Sequence, residues 1–409
     1  MGQRTGKLLL SCVLCLTAIG GARADRGLSE TVVLQQRLDS LVAGAAGVAV
    51  AGIVVVRSGA NGEQLVATSG CARFETGGKL CRRPLSGDQL LRVASISKLF
   101  VAVAIHRLVE SATLRLDDDV SRHLGYELRN PDYVQHPITI AHLLSHTSSL
   151  RDGERYWIAH PGTLAVLLAD ADRFDPLAAP GKHYEYANIN YGVLAAVLER
   201  VSGAPFDQYM TRSLFGPAKL LAGFNWSGVE ELPADMTATL YRRRAVDTEQ
   251  WQPSGSWVPQ VDEFDASPRT SPPPASYVPG SNPTLFSPQG GLRISASGVA
   301  DFVRHTFVAD RGQAALLGPA SRRGLCRPMT GPFGLGAESK RLAGRRWCGH
   351  FAEAYGLKGG ALFDSRRRET LVYFITGYGD EPPLTGSPYA GLDRVEAAVI
   401  DAALAAHLP

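Results

Sequence analysis

The stretch Ser95-Ile96-Ser97-Lys98 stands where the apolar run Leu90-Leu91-Arg92-Val93-Ala94 meets a second one, Leu99-Phe100-Val101-Ala102-Val103-Ala104-Ile105. The spacing of the second run predicts a core-facing helix. A serine and a lysine three residues apart in its first turn share one face, so the amine can reach the hydroxyl. The helix N-terminus directs backbone N–H groups at whatever the serine attacks. Because a serine hydroxyl needs a proton acceptor to act as a nucleophile, the stretch predicts a catalytic pair. The alternative for these four residues alone is a capping serine followed by a surface lysine.

Composition and the N-terminus indicate an exported globular protein. The 409 residues are 45% hydrophobic and 20% charged, enough apolar material for a sizeable core. Residues 1–24 have the pattern of a secretory signal peptide, with the apolar run Leu8–Gly20 and a small-x-small site ending at Ala24. We therefore expect a periplasmic or secreted protein after cleavage near Ala24, with no stable membrane span because the run is too short. The formal charge of +3 falls near zero without the signal, so no nucleic-acid partner is expected.

Four cysteines follow the predicted signal peptide: Cys71, Cys81, Cys326 and Cys348. An even number in an exported protein points to disulfide bonds. Three pairings are possible, and the simplest joins the sequence neighbours, Cys71 with Cys81 and Cys326 with Cys348. Four free thiols are the alternative. None of these four cysteines forms a Cys-x-x-Cys, so a metal site is not expected.

Hydrophobic periodicity predicts an α+β architecture. Gly47–Arg57 and Gln64–Arg73 are expected to form a hairpin, and strands resume near Trp347, Gly359–Phe363 and Thr370–Ile375. The periodicity is mainly helical from Lys98 to about Met210, and Leu392–His407 is a terminal amphipathic helix. Strands at both ends of the chain predict an antiparallel sheet flanked by helices.

The helical residues between the strands then form an inserted part. We place the sheet part at about residues 25–94 and 285–409, and the helical part at about 95–284. Within the helical part, the Pro/Ser-rich segment 253–283 shows no periodicity, and its position makes it a candidate lid.

Three further stretches share the order and spacing of a known family: Ile138-Thr139-Ile140-Ala141-His142-Leu143-Leu144-Ser145-His146-Thr147-Ser148-Ser149-Leu150, Tyr184-Glu185-Tyr186-Ala187-Asn188-Ile189-Asn190-Tyr191, and Gly349-His350-Phe351-Ala352-Glu353-Ala354-Tyr355-Gly356. Together with the serine motif they resemble the serine β-lactamase and penicillin-binding protein superfamily. The chain is most similar to the branch of class C β-lactamases, D-alanyl-D-alanine peptidases and family VIII esterases. The resemblance covers nearly all of the chain after the signal and implies a β-lactamase/transpeptidase-like fold.

The resemblance implies roles for four side chains. Ser95 matches the nucleophile, Lys98 its partner amine, and Tyr186 and Asn188 the Tyr-x-Asn element. Free tyrosine and lysine have pKa values of about 10, so neither is basic in the right form at neutral pH. A cationic Lys98 would favour the Tyr186 phenolate, and either group could then take the serine proton. Asn188 is expected to bind Lys98 and a substrate amide; the alternatives are a core aromatic residue at 186 and a helix cap at 188.

The third motif departs from the family pattern. The resemblance places His350 on an edge strand as a substrate-binding residue, with better anion binding at acidic pH, where imidazole is charged. Lys358 offers a second register but lies too close to the next strand. Phe351 replaces a hydroxyl residue that in the family helps to bind a substrate carboxylate, so its ring is expected to narrow the cleft and disfavour β-lactams. The implied oxyanion hole uses the backbone N–H groups of Ser95 and Glu353.

These observations predict an exported serine hydrolase that acts through an acyl-enzyme on an ester or amide, without cofactor or metal. The substrate is expected to be a small-molecule or peptidoglycan-derived acyl compound, and the protein a monomer. A class C-type β-lactamase or a D-Ala-D-Ala carboxypeptidase is the alternative enzyme. A catalytically silent penicillin-binding-type protein is the alternative outside enzymes. The sequence has no G-x-S-x-G, P-loop or Rossmann fingerprint, which argues against an α/β-hydrolase or a nucleotide enzyme.

Overall fold

The computed structural model describes residues 30–245, 250–263, 273, 275–309, 315–379 and 384–408. The predicted signal peptide and part of the predicted lid lie outside these residues. Within the described ranges, no helix combines the length and the apolar character needed to cross a membrane.

A seven-stranded antiparallel sheet is drawn from both ends of the chain, in the order β3-β2-β1-β12-β11-β10-β9. Strand β1 pairs with β12, which brings Gly52 opposite Thr376 and confirms the predicted sheet. The predicted first hairpin is confirmed by the pairing of β1 with β2. The strands are β1 (Gly52–Ser58), β2 (Gln64–Phe74), β3 (Cys81–Pro84), β4 (Leu91–Arg92), β5 (Ala222–Phe224), β6 (Leu240–Arg244), β7 (Ser256–Val261), β8 (Leu292–Ile294), β9 (Glu338–Leu342), β10 (Arg345–Ala354), β11 (Leu357–Asp364) and β12 (Glu369–Thr376).

Helices cover both faces of this sheet. The helices are α1 (30–42), α2 (Ser97–Glu110), α3 (Ser121–Leu124), α4 (Ile140–Leu144), α5 (Leu164–Leu168), α6 (Ile189–Ser202), α7 (Phe206–Met210), α8 (Ala296–Phe307), α9 (Pro319–Cys326) and α10 (Arg394–Ala405). Alternate side chains of β1 enter different cores: Val54 and Val56 join the cluster that contains α2 and α8, whereas Ile53 and Val55 join the one with α1 and α10. The sheet is therefore the middle layer of three, and β1 is buried throughout.

Helix α2 runs through the larger core and carries the serine motif at its start. Phe100 of α2 stacks on Phe302 of α8 with ring centroids 3.6 Å apart. This packing is what holds the N-terminus of α2 in place, because apolar burial is the main stabilising term. Apart from α2 and α6, the predicted helical region from 98 to 210 consists of short helices joined by long loops.

The segment predicted to be a lid without periodicity is partly a strand. Within it, β7 pairs antiparallel with β6, so this part of the expectation is wrong. Pro259 hides the strand pattern in the sequence, since proline is rare inside sheets. Residues 264–272 and 274 lie outside the described residues. The following part is tied to α6, because buried Glu199 accepts hydrogen bonds from Tyr277 Oη at 2.7 Å and from the Gly280 N–H at 2.5 Å.

Two disulfide bonds have the simplest pairing of the four cysteines. Cys71–Cys81 joins β2 to β3, and Cys326–Cys348 joins α9 to β10. The predicted pairing is confirmed. The second bond ties the layer of α9 to the edge of the sheet that carries the third sequence motif.

Candidate active site

Ser95 lies in a short 3₁₀ turn, Ala94–Ile96, that leads directly into α2. Ala94 has a φ of 44°, in a region that side chains with a Cβ rarely adopt, so the backbone is strained immediately before the serine. The serine hydroxyl lies 3.0 Å from Lys98 Nζ. The structure therefore brings together the two side chains that the sequence motif predicts to be a pair.

Lys98 is fully buried, and two of its three neighbours can only accept hydrogen bonds. Its Nζ donates to Asn188 Oδ1 and to the Gln289 carbonyl, both at 2.8 Å. A neutral amine has two N–H donors and one lone pair, so these two acceptors leave the lone pair for the Ser95 hydroxyl. Burial lowers the pKa of Lys98 to about 7, although the Asp152 carboxylate opposes this change. Lys98 can therefore accept the serine proton at neutral pH.

Tyr186 reaches the serine from the other side. Its hydroxyl donates to Ser95 Oγ at 3.1 Å, and its ring stacks on His146 with centroids 4.3 Å apart. Burial among these groups raises the pKa of the Tyr186 phenol, even though 37% of the residue is exposed at the cleft. The expectation of a Tyr186 phenolate is therefore not met, and the proton stays on the phenol.

Asn188 does not act as a helix cap, although it precedes α6, because its side chain makes no capping hydrogen bond. Its Nδ2 donates to Asp152 Oδ2 at 2.8 Å, while Asp152 Oδ1 accepts the Ile189 N–H at 2.9 Å. Asp152 thus takes the capping position at the start of α6. No sequence motif indicates Asp152, which follows the His146–Leu150 element in a loop without periodicity.

His350 lies on β10, as the third motif predicts, but its side chain is only 1% exposed. It packs against the rings of Phe333 and Tyr186, with centroids at 5.4 and 6.4 Å, and does not line the cleft. Burial, followed by the charge of Lys98, lowers the pKa of His350 to about 3. The lowered pKa does not support the expected charge at mildly acidic pH, and the substrate-binding role of His350 stays a prediction.

Phe351 points to the opposite face of the sheet, where it packs against the cluster of α1 and α10 with Lys340 Nζ 4.6 Å above its ring. Successive side chains of a strand alternate between faces, so His350 faces the serine and Phe351 cannot. The expectation that Phe351 narrows the cleft is wrong. Lys358 also faces away, since its Nζ lies 2.8 Å from Asp393 Oδ2 at the start of α10.

A cleft of about 160 Å³ opens above the serine. It is lined by Arg92, Ala94, Ser95, Tyr156, Tyr186, Asn188, Gln289, Gly290, Glu353, Ala354 and Tyr355. Tyr355 and Gly356, with φ of 57° and 81°, form the two-residue turn between β10 and β11, and glycine is required there because a Cβ would lie 1.9 Å from the Tyr241 carbonyl oxygen. The predicted oxyanion-hole residues Ser95 and Glu353 thus lie on the same cleft.

The cleft wall carries a half-buried cation, Arg92, that the sequence motifs do not indicate. Arg92 donates from Nε to the Gly290 carbonyl at 2.8 Å and from Nη2 to Ser287 Oγ at 3.2 Å, and its guanidinium lies 4.2 Å above the Tyr355 ring. In the described part of the chain, no carboxylate forms an ion pair with it. Arg92 therefore provides positive charge at the edge of the cleft.

A group of three possible metal ligands, Asp175, His183 and Glu185, is not among the residues that line the cleft. Arg151 binds both carboxylates, at 3.0 Å each. The arginine already neutralises the charge that a metal ion would need, so this cluster is better described as an ion-pair network.

Comparisons with known proteins show the family to which this chain belongs. The chain matches the family model described as Beta-lactamase over residues 34–394. The chain belongs to the beta-lactamase family. It is 28% identical over 222 residues to the D-alanyl-D-alanine-carboxypeptidase/endopeptidase AmpH of Escherichia coli, which covers 51% of this chain and 54% of AmpH. It is 36% identical over 142 residues to esterase EstB of Burkholderia gladioli, covering 30% of this chain and 35% of EstB. The chain thus spans about half the length, or less, of these two curated relatives.

A solved structure supports the fold. The D-amino acid amidase from Ochrobactrum anthropi SV3 superposes with a TM-score of 0.66 and 21% identity, covering 92% of this chain and 98% of the amidase. The β-lactamase/transpeptidase-like fold expected from the sequence is confirmed.

Proposed function

We propose that this beta-lactamase-family chain is an exported serine hydrolase that cleaves a small ester or amide through an acyl-enzyme. The observation that carries the proposal is the buried Lys98, whose Nζ lies 3.0 Å from Ser95 Oγ and whose pKa is lowered to about 7. Catalytic bases work best when their pKa is near the operating pH. The two disulfide bonds and the signal pattern of residues 1–24 support export.

In the proposed first step, Ser95 Oγ attacks the substrate carbonyl carbon while its proton moves to Lys98 Nζ. The backbone N–H groups of Ser95 and Glu353 stabilise the oxyanion, a contribution of about 3 kcal/mol per donor in related chemistry. Collapse of the intermediate breaks the bond to the leaving alcohol or amine. The protonated Tyr186 hydroxyl, 3.1 Å from Ser95 Oγ, can donate a proton to that leaving group and regain one from Lys98.

In the second step, a water molecule attacks the acyl-enzyme and gives its proton to the neutral Lys98 amine, and Ser95 leaves as the alcohol when that proton is returned to its Oγ. Each proton released is returned within the cycle, so neither a metal nor a redox partner is required. The chemistry resembles other Ser-x-x-Lys acyl transfers in which the lysine is the base.

The size of the cleft favours short substrates. A volume of about 160 Å³ is below the roughly 300–1,000 Å³ of pockets that enclose drug-sized ligands. The relatives named above are a carboxypeptidase/endopeptidase and an esterase, and both activities fit an open acyl-transfer site. We therefore propose short acyl esters and D-amino-acid amides or peptides as substrates. Because Arg92 at the cleft wall can attract a negative charge, the substrates to be tested should include compounds that carry a carboxylate.

The test combines turnover and intact mass. Purified protein is given short 4-nitrophenyl esters, D-alanine amides, a D-Ala-D-Ala peptide and a penicillin, with the Ser95→Ala variant as the control. We expect turnover of at least one ester or amide and an acyl mass increment that Ser95→Ala lacks. The variant should melt within a few degrees of the wild type, since the lost hydroxyl bonds only to Lys98 and Tyr186 and one such hydrogen bond contributes about 1 kcal/mol. Full activity in Ser95→Ala would overturn the proposal, and a stable penicillin adduct without any turnover would favour a silent penicillin-binding protein.

A further inference from the structure

Asn188 has a fixed amide orientation, and a single residue fixes it. A carboxylate can only accept hydrogen bonds, so the Asn188 amide must present Nδ2 to Asp152. Its Oδ1 is then left facing Lys98 Nζ at 2.8 Å. If the amide rotated by 180°, two N–H donors would face the lysine amine and compete with its own donors.

The same carboxylate also acts on the charge of Lys98, because it raises the pKa of that lysine against the effect of burial. Lys98 Nζ lies 5.0 and 5.6 Å from the ring centroids of Tyr186 and Tyr191, and burial raises the pKa of both phenols, so they stay neutral. His146 and His350 also face Lys98, and burial lowers the pKa of both imidazoles, so they are neutral as well.

Hydrogen bonds to neighbouring elements hold Asp152 in position beside Asn188. Its Oδ1 accepts the Ile189 N–H at the start of α6 at 2.9 Å, and its carbonyl oxygen accepts a hydrogen bond from Arg173. The nearby Arg151 does not neutralise Asp152, because Arg151 forms ion pairs with Asp175 and Glu185.

We propose that Asp152 is a positioning residue for the reaction, which orients the Asn188 amide towards Lys98 and supplies the negative charge that sets the charge state of that lysine. The inference rests on the proposed function, in which Lys98 is the base. Asp152 does not contact the serine, so it acts through Asn188 and through the electric field at Lys98. A residue with a purely structural role would change the amount of folded protein without changing the pH at which the enzyme works.

The test is the pH dependence of kcat/KM for a neutral ester, whose own charge does not change with pH. Removing the negative charge in Asp152→Asn removes the term that favours the ammonium form of Lys98. The acidic limb of the profile should therefore move to lower pH, by about half to one and a half pH units for a charge acting across one amide group. The plateau kcat should also fall at least about tenfold, because the Asn188 amide is no longer fixed.

Asp175→Asn is the matched control, since Asp175 is another carboxylate of this region, paired with Arg151, that does not touch Asn188. We expect its acidic limb to coincide with that of the wild type. If Asp152→Asn does not fold, Asp152→Glu keeps the charge but moves it by one methylene group. That variant should keep the limb within about 0.3 pH units while lowering kcat.

An unshifted limb in a folded Asp152→Asn variant would overturn the inference, and so would an unchanged kcat in Asp152→Glu. The double variant Asp152→Asn with Asn188→Ala gives an independent check. If Asp152 positions Asn188, the double variant should lose little more kcat than Asn188→Ala alone, whereas fully additive losses would contradict the inference. Failure of the proposed function gives a different result, because the wild type would then show no turnover or Ser95→Ala would remain active.

Discussion

Replacing Lys98 with methionine tests whether the buried amine is neutral in the folded protein. Burial lowers the pKa of Lys98 from 10.5 to about 7, and one pKa unit corresponds to about 1.4 kcal/mol. The folded state therefore carries about 5 kcal/mol of unfavourable free energy when Lys98 is protonated at low pH. Between pH values of about 7 and 10.5, the unfolded chain holds a proton that the folded chain has released, so stability rises with pH.

The expected size follows from integrating this difference in bound protons. From about pH 7.5 to about pH 9.5, the free energy of unfolding of the wild type should rise by about 2.5 kcal/mol relative to Lys98→Met. The methionine variant also loses the hydrogen bonds to Asn188 and Gln289, but that loss does not vary with pH in this range. The range lies above the titration of imidazoles, so neighbouring histidines do not contribute.

The assay is urea unfolding of both proteins at several pH values in a buffer of constant ionic strength. Lys358→Met is the matched control. Burial lowers the pKa of Lys358, but its hydrogen bond to Asp393 and the neighbouring carboxylates outweigh this, so the pKa is raised. The difference in free energy of unfolding between Lys358→Met and the wild type should stay constant over the same pH range. Parallel curves for the wild type and Lys98→Met would mean that Lys98 stays an ammonium ion, and its assignment as the base would fail.

Three shorter predictions concern other parts of the fold. Phe351→Thr should leave kcat/KM for a cephalosporin within about twofold of the wild-type value, because the side chain lies on the far face of the sheet; a tenfold rise would contradict that placement. Replacing Cys326 and Cys348 with serine should lower the free energy of unfolding by about 3 kcal/mol in urea, as expected for a loop of 22 residues, and an unchanged midpoint would argue against the bond. Burial raises the pKa of Glu199 to about 7, so the folded protein holds a proton that the unfolded chain has released. As pH rises from about 4.5 to about 7, the free energy of unfolding of the wild type should therefore fall by about 3 kcal/mol relative to Glu199→Gln, which unfolding at several pH values can measure.

The sequence predicts well those features that depend on local spacing. The Ser95–Lys98 contact joins residues three apart at the start of a helix, and the first hairpin joins neighbouring strands, so short-range pattern suffices for both. The pairing of β1 with β12 spans most of the chain, and the order of strands and helices was enough to predict a sheet built from both chain ends, although not this particular pairing. The disulfide pairing was also accessible, since each bond joins cysteines close in sequence.

The sequence predicts less well which face of a strand or helix points towards the site. Period-two alternation predicts that His350 and Phe351 point to opposite faces of β10, but the sequence does not say which face meets the serine. It also does not show that Phe333 and Tyr186 enclose the imidazole of His350, which is why that residue is buried and not at the cleft. Asp152 lies in a loop, where no periodicity distinguishes a functional carboxylate from a solvated one.

The proton acceptor at this site depends on a balance between two opposing effects. Burial among neutral rings lowers the pKa of Lys98, and the Asp152 carboxylate raises it, so a pKa of about 7 is the balance of the two effects. A lysine in the same pocket without the carboxylate would be a weaker base, and one exposed to water would be protonated and unable to accept the serine proton. The same burial raises the pKa of the Tyr186 phenol, which supports the proposed roles of the lysine as base and the tyrosine as donor. The sequence left the proton-transfer roles of Lys98 and Tyr186 open. Burial favours the neutral form of both side chains, and the neutral amine of Lys98 can accept a proton whereas the neutral phenol of Tyr186 can donate one.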